Sequence, residues 1–272
     1  MSTEPFADRL AALVEERRSQ LCLGLDPDPA RLGPWSEGAV TDLGGGATAL
    51  GDAAAPAATE SPAEAAAAAV TAHCLELIER VGEACVAIKP QLACFERLGA
   101  PGWSALAEVC AAARQAGLLV VADGKRGDVP VTAAAYGQAL VGSTPTPWGE
   151  VPGLGADAFT ANPLLGSDAL EPLIAAAAEA GAGIFVLVRT SNPGAAEFTD
   201  LPAPEHPLHE SLAGLVNAHA DRLAGTGAAA TAGGLSGLGA VVGATEPGHL
   251  PRLRELMPRA IFLLPGVGAQ GG

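Results

Sequence analysis

The densest charged segment of the sequence, D-G-K-R-G-D at 123–128, directly follows an apolar run at 118–122. If that run is a strand, side chains two residues apart point to the same face, and Asp123 and Lys125 project together. A carboxylate beside a lysine favours the charged ammonium, and a carboxylate held near an anionic substrate group destabilises that group. The segment therefore predicts an acid that delivers a proton where negative charge is lost. The alternative is a surface ion pair on a loop.

A glycine-rich turn near the end of the sequence is a second candidate, for binding an anion. Backbone N–H groups in such a turn can cradle a phosphate, and the side chain of Gln270 could close over it. A plain structural turn is the alternative. The glycines of this turn are Gly266, Gly268, Gly271 and Gly272.

Seven short apolar runs alternate with stretches of helical character along the sequence. Each run ends in polar residues, glycine or proline, which is typical of a buried strand followed by a turn. Strands that alternate with helices predict an α/β fold with a parallel sheet buried on both faces, and ligands bind at the carboxyl ends of such strands. The predicted strands are 21–25, 85–88, 118–122, 156–160, 184–188, 239–243 and 261–264.

Helices are predicted between these strands, and one more precedes the first strand because Phe6, Leu10, Leu13 and Val14 recur at helical spacing. Three segments rich in small residues or proline are predicted to be surface loops inserted into this framework. The predicted helices are 62–82, 102–117, 168–181, 208–223 and 247–257, and the predicted loops are 33–61, 141–155 and 223–239.

The composition argues against several classes of protein. The net charge of −15 disfavours nucleic acid as a partner, and the charged N-terminal segment lacks the apolar run of a signal peptide. No apolar stretch has the length and character needed to span a membrane. The five cysteines form no C-x-x-C pair, which suits a reducing cytoplasm. A length of 272 residues fits one (β/α)-barrel domain over residues 1–272.

The segment A-D-G-K-R-G-D at 122–128 resembles the D-x-K-x-x-D signature that orotidine 5'-phosphate decarboxylases carry after their third strand. Further segments resemble motifs of that family in the same order along the chain. Asp26, after the first strand, resembles the aspartate that binds ribose, and Lys89 resembles a second-strand lysine that contacts the ribose and completes the charged network. Ser191 lies in a segment that resembles the loop over the pyrimidine, where the serine contacts the base.

The resemblance extends from about residue 6 to the end of the sequence. T-A-N-P-L-L-G at 160–166 resembles the family's fourth-strand loop. L-P-G-V-G-A-Q-G-G at 264–272 resembles its phosphate-gripping loop, which implies that Pro265, Gln270 and Gly271 bind phosphate. The similarity is greatest to the branch of the family that has longer insertions and a K-R-G-D sequence.

The resemblance implies a (β/α)8 TIM barrel that decarboxylates orotidine 5'-monophosphate to uridine 5'-monophosphate, the last step of de novo pyrimidine biosynthesis. No metal or organic cofactor is implied. Lys125 would protonate C6 of the pyrimidine, and Asp123 would hold Lys125 charged and press against the substrate carboxylate. The resemblance also implies a homodimer with shared active sites, in which Asp128 and Thr132 come from the neighbouring subunit.

Two features depart from the family pattern. Val129-Pro130 stands where the family usually has Ile-Gly, and proline removes a backbone donor and fixes φ, so the loop that feeds the partner's site is expected to differ. The family also has an eighth βα unit with an arginine that pairs with the phosphate, and the sequence has no equivalent after its seventh strand. We expect the native chain to continue beyond Gly272 with this unit, or phosphate affinity and activity to be weak.

Other functions compete with this interpretation. A magnesium-dependent sugar-phosphate lyase or aldolase, such as 3-hexulose-6-phosphate synthase, shares the D-x-K-x-x-D barrel. Those relatives commonly carry glutamate where Asp26 and Lys89 stand, and Lys89 would repel a cation. An inactive truncated barrel that only dimerises or binds a ligand is a further alternative. The histidines lack metal-ligand spacing beyond His206-x-x-His209, and Arg126 is expected to be a solvent-side or interface charge.

Overall fold

The structure is a computed structural model that describes residues 4–32, 61–202, 204–231, 233–267 and 271. The described residues divide into two compact units, a smaller one within 21–120 and a larger one within 1–20 and 121–272. The single domain expected over 1–272 stays a prediction. Apart from Ser61, the predicted loop at 33–61 lies outside the described residues. None of the helices in these ranges is long and apolar enough to cross a membrane.

Among its described residues, the smaller unit holds two complete parallel strands and three α-helices. Strands β1 (Leu21–Leu25) and β2 (Cys85–Pro90) pair in parallel with Gly24 opposite Lys89, so both strands end at the same edge. The first residues of β3 (Leu119–Arg126) pair with β2. The helices are α2 (Pro62–Val81), α3 (Leu92–Glu96) and α4 (Ala100–Gln115).

The larger unit contains the rest of β3, six further strands and seven helices among the described residues. Its further strands are β4 (Ser143–Thr146), β5 (Gly149–Pro152), β6 (Ala158–Ala161), β7 (Gly183–Arg189), β8 (Ser236–Val242) and β9 (Ala260–Leu263). Its helices are α1 (Phe6–Arg17), α5 (Pro130–Leu140), α6 (Ser167–Ala180), α7 (Ala196–Thr199), α8 (Leu208–Ala218), α9 (Ala228–Thr231) and α10 (Leu250–Leu256). Strands β3, β6, β7, β8 and β9 pair in parallel in that order, whereas β4 and β5 form a separate antiparallel hairpin.

The parallel strands of the larger unit form its core. Every residue of β6 and β8 is buried, and β7 is buried apart from the half-buried Leu187. Burial on both faces explains why these strands read as continuous apolar runs rather than as alternating patterns. Helix α6 contacts β7 and has Leu170, Leu173 and Ile174 among its buried residues. The architecture is the predicted α/β alternation, and the carboxyl ends of its strands carry the polar residues.

The seven predicted parallel strands are all present, although several ends differ from the prediction. Strand β3 continues to Arg126, so the charged segment is partly strand. The predicted loop at 223–239 is too long, because β8 begins at Ser236, and the predicted loop at 141–155 contains the β4–β5 hairpin. Helix α5 was not expected from the sequence pattern. Pro130 fits its first turn, where a backbone N–H has no intrahelical acceptor to lose.

Helix α1 is tied to the rest of the larger unit by a buried carboxylate. Asp8 is 1% exposed. Its side chain accepts the backbone N–H groups of Thr226 (2.8 Å), Gly227 (2.9 Å) and Ala229 (2.8 Å). Burial opposes ionisation, but the hydrogen-bond donors outweigh it and lower the pKa of the Asp8 carboxyl below its ordinary value. The charged carboxylate therefore holds the segment that begins α9.

Replacing Asp8 with alanine is expected to destabilise the protein by about 2–4 kcal/mol, because buried N–H donors would lose a charged acceptor. Since the folded-state pKa of Asp8 is lowered, its contribution is present above the ordinary value of 3.8 and is lost as the pH falls through the lower folded-state value. Urea unfolding at neutral pH and below pH 3.8 measures both effects. The exposed Glu179→Gln is the control. A loss at neutral pH no larger than that of the control would contradict this account.

Candidate active site

Strand β3 ends in a bulge against β6. Between the paired residues Ala122 and Arg126, three residues of β3 lie opposite Thr160 alone on β6. Extra residues of this kind bend a strand and re-aim its side chains. Lys125 takes up part of the bend with a φ of 49°, in the left-handed region that residues other than glycine seldom adopt.

The bulge brings the Lys125 ammonium onto the Asp123 carboxylate. Nζ of Lys125 lies 2.6 Å from Oδ1 of Asp123, and the side chains are 42% and 6% exposed. A buried carboxylate thus meets a half-exposed ammonium, and the attraction between them is stronger where the carboxylate is shielded from water. The two side chains come together as the sequence predicts. The pleat of a regular strand, from which that prediction was argued, is not the cause.

Thr160 completes this cluster, although no sequence pattern predicts a role for it. It is 1% exposed. Its hydroxyl donates to Oδ1 of Asp123 at 2.9 Å and accepts the backbone N–H of Lys125 at 2.8 Å. A polar threonine at the end of a buried strand is the sequence feature that points to such a role. Its partners on β3 cannot be read from the sequence, because they depend on how the bulge pairs with β6.

The turn after β3 packs closely on the loop that follows β6. The N–H of Asn162 donates to the carbonyl of Arg126 at 2.8 Å. A β-carbon on Gly127 would lie 2.6 Å from the Asn162 carbonyl oxygen, so the close approach requires glycine at this position. The Arg126 guanidinium lies over the Tyr136 ring of α5, 5.4 Å from its centroid. The backbone directly after the bulge is therefore fixed by tertiary contacts.

Asp128 and Thr132 lie beyond this turn. The Asp128 carboxylate accepts the N–H of Val129 at 2.7 Å, directly before α5. Within the described residues Asp128 makes no ion pair, so the contacts of this chain do not bring it to Lys125. Thr132 is half-buried in the first turn of α5. The structure thus joins Asp123 to Lys125, and the expected role of Asp128 in the neighbouring subunit's site stays a prediction.

Ser191 follows β7 on a loop that is tied to the end of β8. Its carbonyl accepts the Thr245 hydroxyl at 3.0 Å. A β-carbon on Gly243 would lie 2.7 Å from the Ser191 α-carbon, so the two loops approach as closely as glycine allows. Because the strands are parallel, Ser191 lies at the carboxyl edge of the larger unit's sheet, as does the 123–128 segment.

The glycine-rich turn after β9 is described in part. The carbonyl of Pro265 accepts the N–H of Ala244 at 2.9 Å, which joins this turn to the one after β8. Gly266 and Gly271 have φ values of 96° and 86°, a conformation that favours glycine. Gln270 lies outside the described residues.

In the smaller unit, Asp26 and Lys89 stand at the carboxyl ends of neighbouring strands. Asp26 directly follows β1 and is exposed, whereas Lys89 is a half-buried residue of β2. Arg97 donates to the carbonyl of Pro27 at 2.7 Å and to the carboxylate of Asp28 at 3.4 Å. These bonds hold the loop that follows Asp26.

Comparison with known proteins decides the family. The chain matches the family model described as Orotidine 5'-phosphate decarboxylase / HUMPS family over residues 19–272. It is 40% identical over 271 residues to the orotidine 5'-phosphate decarboxylase of Rhodopirellula baltica, covering 98% of this chain and 80% of the relative. The chain belongs to this family. The orotidine 5'-phosphate decarboxylase of Deinococcus radiodurans is also 40% identical, over 269 residues, covering 99% of this chain and 80% of the relative.

Solved structures of putative decarboxylases are similar to the whole chain. The putative orotidine 5'-phosphate decarboxylase from Streptomyces avermitilis is 32% identical with a TM-score of 0.74, covering 100% of this chain and 80% of that chain. The putative orotidine-monophosphate-decarboxylase from Toxoplasma gondii is 28% identical with a TM-score of 0.74, covering 100% of this chain and 82% of that chain. The family and the TIM-barrel-type α/β fold class predicted from the motifs are confirmed.

An ion pair between the buried Arg189 and the half-buried Asp200 closes the loop that carries Ser191, and no sequence pattern predicts it. The Arg189 side chain is 6% exposed and meets Asp200 through two bonds, Nε to Oδ1 at 2.9 Å and Nη2 to Oδ2 at 3.1 Å. Nδ1 of His209 lies 3.2 Å from the same carboxylate. Burial opposes ionisation, but the hydrogen bond and charge of Arg189 outweigh it and lower the pKa of Asp200.

Asp200→Asn is expected to destabilise the protein by about 1–3 kcal/mol, because the buried Arg189 would lose its charged partner. The exposed pair of Arg259 with Asp221, whose side chain is 92% exposed, gives the matched control Asp221→Asn, with an expected cost below about 1 kcal/mol. Since the folded-state pKa of Asp200 is lowered, the difference from the parent should persist above 3.8 and shrink as the pH falls below it. Thermal unfolding measures the difference. Equal losses in the two variants would contradict the prediction.

Proposed function

We propose that this chain decarboxylates orotidine 5'-monophosphate to uridine 5'-monophosphate, with Lys125 as the proton donor. The C6–carboxylate bond breaks, CO2 leaves, and the electron pair stays on C6 of the pyrimidine. The Lys125 ammonium then gives a proton to C6. The observation that carries this role is the contact of 2.6 Å between Lys125 Nζ and Asp123 Oδ1, because it holds a proton-bearing group at a fixed position.

Asp123 acts on the reaction in two ways. Its carboxylate keeps Lys125 charged, and it opposes the negative charge of the substrate carboxylate until that charge leaves as CO2. Because its side chain is 6% exposed, little water is available to weaken either effect. Both effects stabilise the state in which C6 has lost its carboxylate relative to the bound substrate. A difference of this kind lowers the barrier to decarboxylation.

The remaining roles follow the family resemblance. Asp26 binds the ribose, and Lys89 contacts the ribose and completes the charged network. Ser191 contacts the pyrimidine base, and the tie of its loop to Thr245 and Gly243 supports a fixed position for this contact. The phosphate is bound by the turn after β9, through Pro265, Gln270 and Gly271.

A magnesium-dependent lyase of the same family has less support. Lys125 Nζ lies on Oδ1 of Asp123, where a cation bound by that carboxylate would meet a like charge. Decarboxylation of orotidine 5'-monophosphate that persists in EDTA supports the decarboxylase. Enzyme activity that EDTA abolishes supports the magnesium-dependent alternative.

We also propose that the protein is a homodimer in which Asp128 and Thr132 of each subunit serve the active site of the other. Beside Asp128, Val129 and Val131 are 55% and 85% exposed, so two apolar residues are available for contact with a partner subunit. We place the enzyme in the reducing cytoplasm. No disulfide joins any of the five cysteines, all of which lie in the described residues, and this supports that location.

Lys125→Ala is expected to lower kcat for orotidine 5'-monophosphate by about 10²–10⁴-fold or more, because the proton donor is removed. The loss of substrate absorbance, followed with EDTA present, measures the rate. Arg114→Ala, which removes an exposed cation from α4, is the matched control and should behave like the parent. Full activity of Lys125→Ala would contradict the role of Lys125.

Sharing of sites across a dimer predicts complementation between two inactive variants. Lys125→Ala and Asp128→Asn should each be slow alone. If Asp128 serves the partner, mixed dimers contain one intact site, and an equal mixture after subunit exchange should regain about a quarter of the parent's sites. Activity of the mixture is measured after dilution and reassociation of the subunits. A mixture as slow as the two separate variants would contradict the shared site.

A further inference from the structure

We propose that Thr160 is a positioning residue for the reaction, which sets the place of the Lys125 ammonium through two hydrogen bonds of one hydroxyl. This inference deepens the proposed function and rests on it for its catalytic consequence. Thr160 does not need to touch the substrate. It acts through the two residues of the bulge that it contacts.

The hydroxyl of Thr160 is used in both directions. A hydroxyl has one proton to donate and lone pairs that accept. The proton goes to Oδ1 of Asp123 at 2.9 Å, and a lone pair receives the backbone N–H of Lys125 at 2.8 Å. Because Thr160 is 1% exposed, water cannot readily replace either bond.

The two bonds act on the two halves of the ion pair. One orients the carboxylate oxygen that also receives Lys125 Nζ at 2.6 Å. The other fixes the backbone of Lys125 in the left-handed conformation, with φ of 49°. A non-glycine residue keeps such a conformation only where its surroundings impose it. Without the Thr160 hydroxyl as acceptor, the backbone of Lys125 is free to adopt an extended conformation. The Lys125 side chain would then leave the backbone in a different direction, away from its present place on Asp123.

Thr160 is the one residue of β6 that lies opposite the bulge. Three residues of β3 lie opposite Thr160, so no regular ladder bond with a neighbouring residue of β6 can replace the bond from the Lys125 N–H. Serine can make both bonds, whereas valine has the same shape and can make neither. This difference defines a matched pair of variants, Thr160→Val and Thr160→Ser.

The test compares the parent, Thr160→Val and Thr160→Ser in decarboxylation of orotidine 5'-monophosphate. We expect Thr160→Val to lower kcat by roughly 10- to 100-fold, the range for loss of a hydrogen bond to a charged group, with KM changed less than about threefold. Thr160→Ser should keep most of kcat. An unchanged kcat in Thr160→Val would overturn the proposal, and so would an equal loss in both variants.

Hydrogen exchange at the Lys125 amide gives a second measurement that needs no activity. Its acceptor is the Thr160 hydroxyl, so exchange at this amide should accelerate in Thr160→Val and not in Thr160→Ser, while buried amides of β7 stay protected in both. General loosening of the fold would accelerate exchange in β7 as well, and that result would overturn the proposal. If the parent itself fails to decarboxylate the substrate, the proposed function fails, and exchange at Lys125 still decides whether Thr160 holds the bulge.

Discussion

A carboxylate buried in a protein interior needs a cation or several hydrogen bonds, because the charged form loses its hydration. Asp123 has both a cation and a hydroxyl donor on the same oxygen, from Lys125 at 2.6 Å and Thr160 at 2.9 Å. The proposed chemistry depends on this cluster. It holds the charged Lys125 ammonium, the proton donor, beside the Asp123 carboxylate, which repels the carboxylate of the substrate. The neighbouring loops have to hold its geometry.

The contacts around the cluster serve that requirement. Strand β6 supplies Thr160 opposite the bulge. The loop after β6 packs directly against Gly127, where a side chain would not fit. The Arg189–Asp200 pair closes the loop of Ser191 at the same edge of the sheet. Thr160 and Arg189 are buried and hydrogen-bonded, so polar contacts hold the carboxyl edge of the larger unit on an apolar core.

The sequence predicts the strands well, because strands buried on both faces read as continuous apolar runs. The D-x-K-x-x-D spacing also locates Asp123 and Lys125. It does not predict the bulge, since register depends on how β3 pairs with β6 rather than on any local pattern. For the same reason Thr160 has no role in the sequence analysis. Pro130 begins helix α5, because proline suits the first turn, and a different shape of the loop that feeds the partner's site stays a prediction.

The central claim is that Asp123 and Lys125 act as one unit. A double-mutant cycle in kcat/KM with Asp123→Asn, Lys125→Ala and the combined variant tests it most directly. Residues that act as a unit show losses that do not add, so the double variant should be about as slow as the slower single variant. Losses that multiply in the double variant would show that the two groups act independently and would contradict this account.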